Sequence, residues 1–74
     1  MASQDAIKIL DVVALTVDRP EDDLVRGQVG TVVERLAPEV YEVEFSDDDG
    51  RTYATASASA DELLVLRYRP QKVA

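Results

Sequence analysis

Carboxylates are the commonest side chains in this chain that can do chemistry, and three stand in a row at Asp47, Asp48 and Asp49. Paired carboxylates act as general acids and bases, and grouped ones bind calcium. Three consecutive residues point in different directions, however, and a calcium loop of the EF-hand type would place Phe45 at its first ligand position. The sequence therefore predicts a turn at residues 46–50, with Gly50 closing it, and no metal site.

Asp11 is a separate case, because it stands between the apolar residues Leu10 and Val12. We expect a half-buried carboxylate that accepts hydrogen bonds from loop amides, and a catalytic acid is the alternative. Histidine and cysteine are absent, so the commonest general base, the thiolate nucleophile and the soft metal ligands are missing. We therefore expect a protein that is not an enzyme and has no catalytic residue, no metal and no cofactor.

Gly27 and Gly30 lie three residues apart in the stretch "LVRGQVGTVVE". A phosphate-binding glycine loop needs a third glycine and a following helix, whereas a valine-rich strand follows here. The prediction is structural: Gly27 turns the chain into a strand with a positive φ, and Gly30 marks a bulge or a close backbone approach. The adjacent Val32 and Val33 favour a bulge, but the sequence does not decide which of them faces the core.

Short segments of two-residue apolar periodicity predict the elements that position these residues. The segment "DRPEDD" at 18–23 predicts an exposed loop without an apolar anchor, and "LAPE" at 36–39 fits a tight hairpin. The segment "SADE" at 59–62 matches a capping box and predicts one 3₁₀ turn. No window holds an amphipathic helix of ten residues. The five predicted strands span 10–17, 28–35, 40–45, 51–56 and 63–68.

Together these elements predict an all-β fold, a small five-stranded SH3-like barrel with a one-turn 3₁₀ helix before the last strand. The domain occupies residues 7–69, between tails at 1–6 and 70–74. Tyr41 is expected to pack in the core with Phe45, and the chain lacks the aromatic groove of a proline-peptide binder. The sequence leaves open whether three arginines and three glutamates form cross-strand ion pairs or are ordinary surface charges: Arg26, Arg35, Arg51, Glu34, Glu42 and Glu44.

The stretch "GQVGTVV" resembles the core of the KOW motif, found in ribosomal and transcription-elongation proteins with SH3-like barrels. The wider pattern "LDVVALT", "LVRGQVGTVVE", "YEVEF", "DDG" and "DEL" resembles, over residues 7–66, a family of short bacterial domains of unknown function assigned to SH3-like barrels. A local likeness in the "RG" turn links the chain to the barrel of the nitrile hydratase β-subunit. The KOW likeness implies RNA binding, but KOW-type RNA binders surround the motif with lysine and arginine, and here "PEDDL" precedes it.

Fifteen carboxylates against eight lysines and arginines give a net charge of −7, which argues against nucleic-acid and membrane partners. The start of the chain lacks the pattern of a signal peptide, so we expect a cytoplasmic protein. We expect a small interaction module or accessory subunit that meets a basic protein surface; a KOW-type RNA-associated protein and, last, an enzyme are the alternatives. The small core leaves self-association open. The predicted interaction residues are Glu21, Asp22, Asp23, Asp47, Asp48 and Asp49.

Overall fold

A computed structural model describes residues 7–70, and the predictions for 1–6 and 71–74 lie outside these residues. The described part is all-β, as predicted, with five strands and two 3₁₀ turns. The 3₁₀ turns span Pro20–Asp22 and Ala60–Glu62. The strands are β1 (Val12–Leu15), β2 (Val29–Ala37), β3 (Val40–Ser46), β4 (Thr52–Ser59) and β5 (Leu63–Val65).

All five strands belong to one antiparallel sheet in the order β4-β3-β2-β1-β5. The second 3₁₀ turn joins distant parts of this sheet: Ala60 N–H donates to the carbonyl of Glu39 at 2.9 Å, and Thr16 N–H donates to the carbonyl of Glu62 at 2.9 Å. Strands β4 and β5 are the two edges, and they do not pair with each other. The sheet is therefore open, and closure into a barrel is not confirmed.

Strand β3 carries the alternation on which the core depends. Tyr41 and Phe45 are buried, as predicted, and so is Val43, while Glu42 and Glu44 point to the other face and are half-buried. Each buried side chain of β3 meets a small residue of β4, because the register places Ala54, Ala56 and Ala58 opposite them. The remaining buried apolar residues of the described chain are Ile7, Val13, Leu15, Leu24, Val32 and Leu63.

A β-bulge in β2 decides which of the two adjacent valines faces the core. Val32 is opposite Val43 and Glu34 is opposite Glu42, so Val33 is the extra residue between them. Val32 is fully buried, whereas Val33 is half-buried. The bulge lets β2 continue with Glu34 on the solvent side, which strict alternation after Val32 would not allow.

The predicted bounds of three strands are wrong. β1 does not reach residues 10 or 17, because Leu10 has a positive φ of 78° in a turn, and Val17 is exposed. β5 ends at Val65, three residues early. β4 runs on through Ser59, because β3 offers Val40 and Tyr41 as pairing partners. Within residues 7–70, no helix is long and apolar enough to cross a membrane.

Candidate protein-interaction surface

The connection from β1 to β2 is held by its own residues and is not the wholly exposed loop predicted at 18–23. Arg19 and Leu24 form an isolated antiparallel bridge, with N–H to O distances of 2.8 and 3.1 Å. The 3₁₀ turn Pro20–Asp22 closes the segment between them. Leu24, one residue beyond the predicted loop, is only 1% exposed, and it supplies the apolar anchor.

Arg19 is the centre of a cluster of ion pairs that the sequence reading missed. Its side chain is only 13% exposed; Nε lies 3.0 Å from Oε2 of Glu21, Nη2 lies 2.9 Å from Oδ2 of Asp22, and Nη1 lies 3.3 Å from Oε1 of Glu62. The buried Asp22 Oδ2 accepts no hydrogen bond from the described residues, so its contact with Arg19 is electrostatic. The cluster ties the β1–β2 connection to the second 3₁₀ turn.

These contacts shift two pKa values in opposite directions. The hydrogen bond with Glu21 raises the pKa of Arg19, burial opposes the rise, and the charges of Glu62 and Asp22 add to it. The backbone N–H of Glu21 and then the guanidinium of Arg19 lower the pKa of the Glu21 carboxyl. Glu21 and Asp22 are thus committed to an internal partner, which leaves Asp23 as the predicted interaction residue of this loop without one among residues 7–70.

The β3–β4 turn uses one of its three aspartates to hold its own backbone. Oδ1 of Asp47 accepts hydrogen bonds from the N–H groups of Asp49 and Arg51, at 2.9 and 3.0 Å. Gly50 N–H donates to the carbonyl of Asp47 at 3.0 Å, and Gly50 has the positive φ, 82°, expected of it. The carboxylates of Asp48 and Asp49 are exposed and have no partner within the described chain.

The two acidic segments lie at the same end of the sheet. β1 and β3 run in the same direction, since both are antiparallel to β2, and each acidic segment follows one of them. The side chain of Gln28 joins the segments: Oε1 accepts from Val25 N–H at 2.6 Å, and Nε2 donates to the hydroxyl of Tyr53 at 2.8 Å. We call residues 18–28 together with 46–53 the acidic end; they contain seven carboxylates and three arginines.

An open cavity of about 350 Å³ lies within the acidic end. Asp18 and Asp23 supply carboxylates to its lining, whereas Pro20, Leu24 and Val25 supply apolar surface. One oxygen of Asp18 accepts Arg26 N–H at 2.9 Å, and this contact fixes the aspartate in place. The cavity therefore combines negative charge with apolar walls.

The predicted structural residues have the following geometry. Gly27 has φ 95°, a value that favours glycine. A Cβ built on Gly30 would lie 2.6 Å from Cγ1 of Val43 and 2.8 Å from the carbonyl oxygen of Glu44, so only glycine fits there. Asp11 is half-buried and accepts Lys8 N–H at 2.8 Å, which is the backbone contact expected for it.

The solvent face of the sheet carries a second acidic group, for which the sequence left cross-strand ion pairs open. Glu34 and Glu42 are directly opposite each other, and Glu44 is opposite Thr31 and Thr55. Within residues 7–70, these glutamates form no ion pair with an arginine. The bulge at Val33 explains the outcome, because it brings Glu34 into register with a glutamate. The described residues also contain no group of three His, Cys, Asp or Glu arranged to hold a metal ion.

The fold and this surface define a small all-β protein that presents, at one end of its sheet, carboxylates without a partner among residues 7–70. The chain belongs to the family described as Domain of unknown function (DUF4926), whose family model matches residues 9–65. The match confirms the predicted resemblance to a family of domains of unknown function. No curated protein and no solved structure matches the chain. The likeness to KOW proteins stays a prediction.

Proposed function

We propose that this chain is a small SH3-like interaction module, not an enzyme, whose acidic end binds a basic surface of another protein. One observation carries the proposal: Asp23, Asp48 and Asp49 lie in two loops at one end of the sheet, and none has a partner among residues 7–70. Carboxylates that are not used internally are free to attract a cationic partner, and electrostatic complementarity of this kind mainly raises the association rate and the specificity.

The cavity in the acidic end supports a lysine or arginine of the partner as the inserted group. Pro20 and Val25 can pack against the methylene groups of such a side chain, and Asp18 and Asp23 can accept from its charged end. Tyr53 is half exposed, and Gln28 links it to the cavity: the side chain of Gln28 donates to the Tyr53 hydroxyl and accepts from the N–H of Val25, which lines the cavity. Tyr53 thus adds an aromatic surface of the kind enriched in interfaces. The proposed partner surface is therefore basic, with at least one long cationic side chain.

The topology supports the SH3-like part of the proposal. The long β1–β2 connection and the 3₁₀ turn between β4 and β5 agree with the elements expected from the sequence for an SH3-like domain. A crystal structure of the full chain tests the SH3-like arrangement. The same proposal places the protein in the cytoplasm, which cell fractionation tests.

The binding experiment compares two variants with the same loss of charge. The first carries Asp23→Asn, Asp48→Asn and Asp49→Asn; asparagine tolerates the positive φ of 61° at position 23. The matched control carries Glu34→Gln, Glu42→Gln and Glu44→Gln on the sheet face. Proteins captured by the wild type from a lysate of its source cells are identified and purified, and their affinities for all three chains are measured.

We expect the acidic-end variant to bind the purified partner at least tenfold more weakly, and the sheet-face variant to bind within about twofold of the wild type. Added salt should slow association with the wild type. Equal affinity of both variants would contradict the proposal, as would capture of RNA in place of protein or failure to capture any protein.

A further inference from the structure

A second candidate interaction surface is the strand β4, which lies at the edge of the sheet along its whole length. β4 spans eight residues and, among residues 7–70, pairs with β3 on one side only, whereas the opposite edge strand, β5, spans three. Within the described chain, no backbone hydrogen bond outside the β3 ladder is made by residues 53–58. A strand edge of this length is a template for a further strand.

The hydrogen bonds of β2 determine which way the backbone groups of β4 point. Val32 N–H donates to the carbonyl of Asp11 at 2.9 Å, and the carbonyl of Val32 accepts from Leu10 N–H at 2.7 Å, so both groups of Val32 point away from β3. Its partner Val43 must then direct its own groups towards β4, because the two kinds of pair alternate along an antiparallel ladder. Val43 and Ala56 are therefore a hydrogen-bonded pair.

It follows that the neighbours of Ala56 point outward. Thr55 and Ser57 direct their N–H and C=O groups to the open edge, since adjacent residues of a strand face opposite sides. Ser59, two residues further on, obeys the same pattern: its N–H donates to Oε1 of Glu62 at 3.1 Å and not to β3. The open edge thus offers two donors and two acceptors, with exposed hydroxyl side chains on the same two residues.

The edge also lacks the residues with which proteins usually block strand pairing. Residues 52–60 read "TYATASASA", with no proline, no lysine and no other charged side chain, in a chain of net charge −7. Charges and prolines on edge strands are the common protection against pairing. This edge can therefore form backbone hydrogen bonds with another uncharged strand.

We propose that β4 pairs with β4 of a second copy of this chain to form a symmetric antiparallel dimer. With the two-fold axis at Ala56, Thr55 of each copy lies opposite Ser57 of the other, and four backbone hydrogen bonds form. Such an interface is self-complementary, as two-fold symmetry requires. The two sheets become one continuous sheet of ten strands.

Charge favours a second copy over a cationic peptide as the occupant. The nearest carboxylates on the sheet face, Glu42 and Glu44, lie on β3, so the two copies of them are separated by three strand spacings, about 14 Å. This exceeds the Debye length of about 8 Å at physiological ionic strength, so their repulsion is largely screened. A cationic strand, by contrast, finds no carboxylate on β4 itself. Because the side chains involved are small, the buried area is small and the dimer is weak, forming at sub-millimolar concentration.

The test measures the mass of the full chain over a concentration series by analytical ultracentrifugation, and follows backbone amides by NMR. The average mass should rise towards twice that of the monomer, and the amides of Thr55 and Ser57 should shift with concentration while that of Ala56 does not. Ser57→Pro removes one edge donor without touching the β3 ladder and should raise the dissociation constant at least tenfold. Ser57→Ala keeps the donor and should dimerise like the wild type.

A second variant keeps the test decisive if the proline disturbs folding. Thr55→Lys with Ser57→Lys places lysines beside Glu44 and Glu42 within each copy, but sets lysine against lysine across the two-fold axis. It should fold and remain monomeric. A wild type that is monomeric at every concentration would overturn the proposal. So would protection of both amides in a monomer, which would assign the edge to another segment of the same chain, or binding of a foreign peptide strand without self-association.

Discussion

Arg19 determines which carboxylates of the first connection are available to a partner. By composition alone, Glu21, Asp22 and Asp23 are equivalent, and the sequence predicts all three as interaction residues. The structure separates them, because the side chain of Arg19 contacts the first two and not the third. The signal in the sequence was an arginine directly before Pro20, in a loop otherwise rich in acid. Its burial depends on Glu62, 43 residues further along the chain, which local reasoning does not reach.

Gly30 allows the sharpest stability prediction for a single residue. Gly30→Ala would place a Cβ 2.8 Å from a backbone oxygen and within 3 Å of two core side chains. The backbone of β3 cannot move away without losing its ladder, so we expect a loss of about 1–3 kcal/mol in the free energy of unfolding. Urea denaturation measures it.

A glycine in open space provides the control for that measurement. Nothing lies within 4 Å of a Cβ built on Gly50, which has φ 82°. Gly50→Ala should therefore lose about 1 kcal/mol through backbone strain alone, and Gly50→Asn less, because asparagine tolerates positive φ. If Gly30→Ala were no more destabilising than Gly50→Asn, the close approach of β3 would be contradicted.

Glu21 predicts a pH dependence of stability. Its own backbone N–H and then Arg19 lower the pKa of its carboxyl in the folded chain. A carboxyl whose pKa is lower when folded contributes stability that is complete above its unfolded pKa and disappears as the pH falls through the folded value. The difference in melting temperature between wild type and Glu21→Gln should therefore be present at pH 7 and disappear as the pH falls below 4.5, the ordinary pKa of this carboxyl. Thermal unfolding by circular dichroism at several pH values checks it.

The matched control for this experiment is Glu44→Gln, which removes one half-buried carboxylate from β3 that makes no ion pair with an arginine among residues 7–70. The wild type and this variant should lose stability in parallel as the pH falls. A constant difference between wild type and Glu21→Gln at every pH would mean that ionisation of the Glu21 carboxyl does not stabilise the fold.

Among the elements, those fixed by local alternation were predicted well and those fixed by distant partners were not. The alternation of Tyr41, Val43 and Phe45 places β3 to within one residue, and the capping box between Ser59 and Glu62 is present where predicted. β4 was predicted to end at residue 56, because alternating serine and alanine carries little strand propensity. It continues because β3 pairs with it. The order of the strands was likewise beyond a reading of single segments.

The second 3₁₀ turn and the β1–β2 connection should act as one unit. Oε1 of Glu62 accepts from both Ser59 N–H and Nη1 of Arg19. A double-mutant cycle of Arg19→Gln and Glu62→Gln should give a coupling free energy of about 0.5–1 kcal/mol, because both side chains are largely buried. Glu62→Gln removes the charge of this side chain but keeps its acceptor oxygen. Additive effects would show that the two elements are not coupled. Pairing Arg19→Gln with Glu34→Gln, which makes no contact with Arg19, is the additive control.

At the scale of the molecule, the net charge of −7 is divided between surfaces with different surroundings. The acidic end has its own arginines, whereas Glu34 and Glu42 are opposite each other on two strands and form no ion pair among residues 7–70. The open edge of β4 carries no charge at all. The proposed partner and the proposed second copy therefore bind separate parts of the molecule, the acidic end and β4. A substitution in one of these parts can abolish one interaction without affecting the other.

This distribution of charge predicts how salt affects the whole fold. Raising the ionic strength from 0.01 M to 1 M shortens the Debye length from about 30 Å to about 3 Å. Self-repulsion in a chain of net charge −7 is then screened, so the melting temperature should rise with sodium chloride. Glu34→Lys replaces a repulsive cross-strand pair by an attractive one, and should stabilise the chain at low salt by about 0.2–1 kcal/mol. Its melting temperature should depend less on salt than that of the wild type. A wild-type melting temperature that falls with added salt would mean that the three ion pairs of Arg19 outweigh the repulsion among the remaining carboxylates.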